Sequence, residues 1–440
     1  MYEGSSLTLF KKYAVPQMIG LLFNSVYVIV DGVFIGNVLG RDSMAAAAVA
    51  VPLIEILIAV SMAIASGAGV IISGKLALGE KEKARQTFNT ALVCAGAVSL
   101  LIAVLGNIYI HPLAELLGST PQIHAAATEY IRYIVSFSPF LVFSFLFSGL
   151  VRNDGEPKLA MFALAFGSVS NIVLDYLFMC PLNMGIGGAA LATAIGPVFS
   201  VLIILPHFLL KKGELFFSAP KIRFSTVRDI FALGFPSFIM EFSIGIVTFV
   251  YNIAIVKLGY GEIGLAAYLL IGYLMLIILT LFLGMAEGLQ PVFSYFTGCG
   301  EMSRCDDMRR FATKVFLITG IVCYVLIALF SAHFYSIFNP EDTELIAFTA
   351  DKSIGYFCAF CLAGYNILMI SFWQSTKRTA TALAISLSRS VICLPLLVLI
   401  LPHIFGADII WICHSAGEAI TACVAFMLLT KEKSNGAAKE

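Results

Sequence analysis

The sequence predicts an all-α polytopic membrane protein with twelve transmembrane helices in two six-helix lobes, related by a pseudo-twofold axis along the membrane normal. Three observations support this fold: the apolar composition, the number of long apolar stretches, and a repeat between the two halves. Of 440 residues, 60% are hydrophobic and 12% are charged, whereas a soluble domain has about 25% charged residues. The net charge is zero, so nothing indicates a nucleic-acid partner.

Twelve apolar stretches are long enough to cross a bilayer, which requires about 20 residues. We expect helices, because a helix satisfies its own backbone hydrogen bonds in lipid and the stretches lack the alternation of barrel strands. The stretches are residues 13–38, 47–72, 87–110, 129–150, 159–182, 187–210, 229–257, 265–290, 311–332, 350–373, 379–401 and 407–430.

A repeat divides the chain into two halves of the same orientation, because each half contains an even number of stretches. At an offset of 221 residues, Gly67 matches Gly288 and Ser73 matches Ser294. Two parallel halves that face each other are a transporter architecture, with the substrate site between them. The predicted parts are an N-terminal lobe of residues 1–210, a cytoplasmic linker of residues 211–228 and a C-terminal lobe of residues 229–440.

The basic residues predict the orientation in the membrane. If the N-terminus is cytoplasmic, the termini and the loops after even-numbered stretches hold 22 of the 27 Lys and Arg residues. Cytoplasmic loops of membrane proteins carry such an excess of positive charge. We therefore expect a multi-pass protein of the plasma membrane, of the bacterial inner-membrane type, with both termini in the cytoplasm.

Four polar residues of the N-terminal lobe predict an ion site. Asp31 has no basic residue within nine positions, and a charge inside a bilayer is costly unless it has a partner or a function. Asp31 and Asp175 lie about 27 and 24 Å from the inner ends of their stretches, and Thr193 lies about 9 Å from the outer end of its own. Asn171 lies one turn before Asp175 on the same face. Two carboxylates, an amide and a hydroxyl suit a hard cation or a proton; the alternative is separate helix-packing hydrogen bonds.

A second polar group falls near the membrane midplane in the C-terminal lobe. Glu241, Arg389 and Glu418 form either a structural ion-pair network or a site for substrate or protons. His414 is either a hydrogen-bonding residue of the helix packing or a proton carrier.

Other motifs argue against enzymatic chemistry. Residues 69–75 match the start of a phosphate-binding loop, but Leu76 replaces the required Ser or Thr and no strand precedes the motif. The six His residues show no metal-ligand spacing and no nucleophile–His pair is evident, so we expect no metal, no cofactor and no enzyme activity. Any pumping then uses an ion gradient. Glu55 and Glu287 are interpreted as acids that reach a water-filled cavity.

Several segments resemble the multidrug and toxic compound extrusion (MATE) family, and especially its MepA-like branch. They are VDGVFIGNVLG at 30–40, NIVLDYLFM at 171–179, GIGGAALATAIG at 185–196, FPSFIMEFSIGIV at 235–247 and GLQPVFSYFTG at 288–298. The resemblance covers nearly the whole chain. It implies two lobes around a central cavity that opens alternately to the two sides of the membrane.

The resemblance also implies a function and site residues. The function is secondary antiport, in which amphipathic and cationic small molecules leave the cell in exchange for H⁺ or Na⁺. The family's cation site maps onto Asp31, Asn171, Asp175 and Thr193, and acids of the second lobe map onto Glu241 and the region of Glu418. We expect the protein to work in the lipid bilayer as a monomer.

The alternatives are a lipid-linked oligosaccharide flippase of related architecture and an intramembrane enzyme. Such flippases often have additional spans and a strongly basic cavity, which this sequence lacks.

The orientation can be tested by labelling. A single Cys placed at Lys212, in a variant whose ten native cysteines are replaced, should react with an impermeant thiol reagent in inside-out vesicles and not in intact cells. Reaction in intact cells would contradict the orientation predicted from the basic residues.

Overall fold

The computed structural model describes residues 3–219, 221–337 and 342–437, and within these ranges the regular structure is helical throughout. Eleven helices are long and apolar enough to cross a membrane, and a bent helix pair forms a twelfth span. The twelve-helix fold predicted from the sequence is therefore confirmed.

We number the spans in chain order. They are α1 (Ser6–Leu39), α2 (Arg41–Ala77), α3 (Lys81–Ile108), α4 (His124–Asn153), α5 (Pro157–Met179), α6 (Gly185–Leu209), α7 (Phe224–Lys257), α8 (Gly261–Cys299), α9 (Met302–Ser336), α10 (Thr343–Phe357 and Phe360–Ser375), α11 (Thr379–Phe405) and α12 (Ala407–Lys431). The end of the bundle that carries the connection between α6 and α7 is called the linker end, and the opposite end is called the far end.

Several boundaries differ from the sequence prediction. Helix α7 begins at Phe224, so the last five residues of the predicted linker 211–228 are helical, and Pro220 within it lies outside the described residues. Helix α10 bends by 46° at its break. A short helix, Ile110–Leu116, follows α3.

Two spans contain three π-helical turns, and such turns often mark functional positions. Two lie in α1, at Phe10–Ala14 and Ile35–Leu39, and the second begins one turn after Asp31. The third, Leu387–Cys393, lies in α11 and includes Arg389. The apolar periodicity of the sequence predicted these spans but gave no sign of the wider turns.

Each lobe has its own hydrophobic core, and the first turns of each lobe's first helix are buried in the core of the other lobe. Leu9 and Tyr13 at the start of α1 are buried in the core formed by the C-terminal lobe. Ile230 at the start of α7 is buried in the core formed by the N-terminal lobe. Ile230 follows Leu9 by the repeat offset of 221 residues, so the exchange obeys the symmetry predicted from the sequence.

Glycines bring the lobes together at the linker end. A β-carbon at Gly67 of α2 would overlap the carbonyl oxygen of Ile230, and one at Gly234 of α7 would overlap that of Ala63. At the equivalent contact, a β-carbon at Gly288 of α8 would lie 2.5 Å from the carbonyl oxygen of Tyr13 in α1. The helices can approach this closely only because these positions lack side chains.

The same helices are less crowded toward the far end. Gly32 of α1, Gly245 of α7 and Gly272 of α8 lie in the halves nearer that end, and an added β-carbon at any of them would meet no atom within 4 Å. These three glycines therefore do not form close contacts of the kind that Gly67, Gly234 and Gly288 make at the linker end.

Adding a methyl group at this contact should destabilise the protein. Gly234→Ala forces α2 and α7 apart, and overpacking of this kind typically costs about 1–3 kcal/mol. Gly272→Ala is the matched control, because it adds the same methyl group in open space and slightly favours the helix. Thermal unfolding of both variants in detergent should show a lower midpoint for Gly234→Ala alone. Equal midpoints would contradict the close contact.

Candidate ion and substrate sites

Three helices of the N-terminal lobe bring together the four residues of the predicted ion site. Asp31 comes from α1, Asn171 and Asp175 from α5, and Thr193 from α6. The carboxyl groups of Asp31 and Asp175, here called the aspartate pair, lie close enough to interact electrostatically. Asn171 and Thr193 line a cavity of about 360 Å³ in the same lobe. Asn171 and Asp175 lie one turn apart in the same helix, as their spacing in the sequence predicted.

These four side chains share an unusual property. Each has a buried polar atom with no hydrogen-bond partner among the described residues: Asp31 Oδ1, Asp175 Oδ1 and Oδ2, Asn171 Oδ1 and Nδ2, and Thr193 Oγ1. Most buried polar side-chain atoms in proteins have a partner, and leaving one unsatisfied costs about 1–3 kcal/mol. A cluster of unsatisfied oxygens is therefore able to bind a proton or a cation.

Two tyrosines border this cluster and were not predicted from the sequence. Tyr27 and Tyr130 both interact electrostatically with the aspartate pair, and the Tyr130 hydroxyl approaches Thr193. Tyr27 precedes Asp31 by four residues, so its helical spacing was a usable signal. Tyr130 lies on α4, and only the three-dimensional packing reveals it.

In the C-terminal lobe, Glu418 is held by neighbouring side chains. Arg389 Nε donates a hydrogen bond of 2.7 Å to Glu418 Oε1, and Asn366 Nδ2 donates one of 2.7 Å to Glu418 Oε2. His414 Nε2 lies 4.0 Å from Glu418 Oε1, and its ring stacks on that of Tyr356 with centroids 4.7 Å apart. Glu418 is therefore a buried acid with a donor for each of its oxygens, and removing one of these partners would leave a buried charge unpaired.

Glu241 is arranged differently from Glu418. It lines a cavity of about 590 Å³ together with Arg389, His414 and Glu418. Among the described residues Arg389 forms its ion pair with Glu418, and no such pair joins it to Glu241. The arrangement of one Arg between two Glu is therefore not observed. Met240, Met275 and other apolar side chains form most of the remaining wall, with Ser243 and Ser390, so Glu241 is an acid in a largely apolar cavity.

Glu287 connects the two lobes. Its Oε2 atom accepts hydrogen bonds from Arg152 Nη1 at 3.2 Å and from Gln17 Nε2 at 2.8 Å. Arg152 belongs to α4 and Gln17 to α1, whereas Glu287 belongs to α8. Our interpretation of Glu287 as an acid that reaches water omitted these partners, because Arg152 follows the predicted stretch 129–150. In the structure α4 continues to Asn153 and Arg152 is buried.

The Arg389–Glu418 pair can be tested by stability measurements. Arg389→Ala leaves Glu418 buried without its cation, which should lower the free energy of unfolding by about 3–5 kcal/mol. Replacing Glu418 by Gln in the same protein should recover part of this loss. Lys352→Ala, which breaks surface ion pairs with Asp351 and Asp408, is the control and should cost less than about 1 kcal/mol per pair. Denaturant titration in detergent micelles measures these differences. Equal losses in the single and double variants would mean that the two residues do not interact.

The chain matches the MatE family model twice, over residues 16–177 and residues 236–399. The two matches begin 220 residues apart, in agreement with the internal repeat. Together they cover most of the described helices of both lobes.

Similar proteins include the multidrug export protein MepA of Staphylococcus saprophyticus, which is 25% identical over 95% of this chain and 92% of its own length. The multidrug export protein MepA of Staphylococcus aureus strain N315 is 24% identical over the same shares of the two chains.

Among solved structures, a MATE transporter in complex with MaL6 superimposes with a TM-score of 0.93 over 99% of this chain and 98% of that chain, at 22% identity. A MATE family transporter of the MOP superfamily in an outward-facing conformation gives the same TM-score and identity. The two family matches and the shared twelve-helix fold lead to one conclusion: this chain belongs to the MatE family and is a membrane transporter, not an enzyme.

Proposed function

We propose that this transporter is a secondary antiporter that exports amphipathic, cationic compounds in exchange for H⁺ or Na⁺. The observation that carries the proposal is the aspartate pair, whose carboxyl groups approach each other inside the membrane-spanning region without an ion-paired Lys or Arg among the described residues. Two adjacent carboxylates repel each other unless a proton or cation lies between them. The relatives named as multidrug export proteins support the substrate class.

The chemistry of the site suits either coupling ion. The carboxyl oxygens of the aspartate pair, the Asn171 amide oxygen and the Thr193 hydroxyl provide oxygen ligands, which hard cations prefer. A proton shared between the two carboxyl groups would equally relieve their repulsion. In both cases occupancy removes negative charge from the contact between α1 and α5.

Helix α1 couples this site to the substrate cavity. Its first turns lie in the core of the C-terminal lobe, and Ser25 Oγ lies 2.6 Å from Thr280 Oγ1 of α8. Asp31 lies between these contacts and the π-helical turn Ile35–Leu39. Binding an ion at Asp31 therefore acts on a helix that belongs to both lobes. A shift of α1 would change the cavity and release the substrate.

The proposed substrate class is supported by the acidic residues in and near the cavity that Glu241 lines. Glu241 is exposed to a largely apolar cavity, and Glu55 and Glu287 lie within electrostatic reach of it. An acidic group in an apolar pocket favours a molecule that combines a positive charge with apolar surface.

The predicted orientation completes the transport cycle. With the linker end toward the cytoplasm, the lobes are tightly packed on the cytoplasmic side, and substrate release would take place at the far end. We propose that the protein performs this cycle as a monomer in the plasma membrane, because the two lobes of one chain together provide the ion site and the cavity.

Removing the charge of either aspartate should abolish coupled export. Asp31→Asn and Asp175→Asn keep the side-chain shape but cannot exchange a proton or balance a cation. Each should fold and bind a fluorescent lipophilic cation, yet lose export in everted vesicles energised by a proton or a sodium gradient. The double variant should be little worse than either single variant, because the two residues act as a unit.

Asp229→Asn is the matched control, since Asp229 is exposed at the linker end and pairs only with the adjacent Arg228 among the described residues. Collapsing the proton and sodium gradients separately identifies the ion. Wild-type export by a folded Asp31→Asn protein would contradict the proposed role.

A further inference from the structure

The ion pair between Arg152 and Glu287 joins the lobes in the interior of the protein. The Arg152 side chain is 5% exposed and the Glu287 side chain is 13% exposed. Arg152 belongs to the N-terminal lobe and Glu287 to the C-terminal lobe. Any movement that separates the lobes at the linker end must break this pair.

The pair is incompletely satisfied where it stands. Arg152 Nε and Gln17 Oε1 are buried and have no hydrogen-bond partner among the described residues. In a buried ion pair the loss of hydration nearly cancels the attraction between the charges. Such a pair can be exchanged for another at little net cost, provided that Glu287 is never left without a cation.

Arg152 and Glu287 both line a cavity between the lobes, whose empty space of about 470 Å³ includes its open mouth. Met62 of the N-terminal lobe and Met240 and Leu283 of the C-terminal lobe form part of its apolar wall. Methionine side chains adapt to ligands of different shape. The cavity therefore offers apolar surface next to one acid whose protein cation can leave.

Separation of the lobes at the linker end would carry Arg152 away with the N-terminal lobe, whereas Gln17 follows the turns of α1 that are buried in the core of the C-terminal lobe and would stay beside Glu287. Glu287 would remain on α8 of the C-terminal lobe and face the opened cavity. An unpaired carboxylate at such a position is unfavourable, and a positively charged group of an amphipathic molecule is the natural replacement.

We propose that Glu287 is a cation-exchange residue of the transport cycle: it binds the positively charged group of the substrate when the lobes are apart at the linker end, and binds Arg152 when they are together. Return of Arg152 displaces the substrate from Glu287 toward the far end. The proposal rests on the proposed export of cationic compounds and adds the residue that exchanges partners. Neutral amphipathic compounds would bind without using Glu287.

Equilibrium binding of tetraphenylphosphonium to the purified full-length protein tests the exchange. Glu287→Gln removes the acid and should weaken binding about tenfold, the effect of losing one interaction with a charged group. Arg152→Gln removes the competitor and should strengthen binding by a similar factor while slowing export. Glu301→Gln, which breaks an exposed pair with Arg304, should leave binding unchanged.

The opposite signs of the two effects distinguish exchange from a purely structural bridge. A bridge that only holds the lobes together would be lost equally in both variants, so binding would change in the same direction in both. The double variant Arg152→Gln/Glu287→Gln leaves no unpaired charge, should therefore fold, and should bind as weakly as Glu287→Gln.

Three results would overturn the proposal. They are wild-type affinity in Glu287→Gln, changes of the same sign in the two single variants, and strengthened binding in the double variant. A wild-type protein that neither binds nor exports tetraphenylphosphonium would instead reject the proposed function itself, and the exchange with it.

Discussion

The cost of placing charged side chains inside a bilayer organises this structure. Glu418 meets that cost with fixed partners, chiefly Arg389, and so stabilises one lobe. Glu287 meets it with Arg152 of the opposite lobe, so its stability depends on how the lobes are arranged. The aspartate pair has no ion-paired Lys or Arg among the described residues. Its unsatisfied oxygens are therefore the place where an ion from the medium would offset the largest cost. We propose that the three arrangements serve a structural, a conformational and an ion-binding role.

Helix α1 connects these roles because it belongs to both lobes. Its first turns are buried in the core of the C-terminal lobe, whereas Asp31, farther along, meets Asp175 of the N-terminal lobe. Gln17 of the same helix donates to Glu287. A change of charge at the aspartate pair and a change of contact at the linker end thus act on the same helix. This physical link is what ion-coupled transport between two lobes requires.

The sequence alone predicted the spans and the grouping of the four N-lobe residues, because hydropathy and helical rise determine depth in a membrane. Depth does not determine which way a side chain points, so the sequence could not show that Arg389 pairs with Glu418 and not with Glu241. It also placed Arg152 in a loop, because a helix can continue beyond the end of its apolar stretch. The Tyr130 contact with the ion site depends on packing between distant spans, which no periodicity encodes.

In the proposed cycle, binding of the ion at the aspartate pair weakens binding of the substrate. By linkage, an ion that weakens substrate binding must itself be displaced by the substrate. The direct measurement is the release of protons, or of radioactive Na⁺, when tetraphenylphosphonium binds to the purified protein in weakly buffered detergent solution. We predict release of one of these ions from the wild-type protein and of neither from a variant in which Asp31 and Asp175 are both Asn. Binding to the wild-type protein without release of either ion would contradict ion coupling through the aspartate pair.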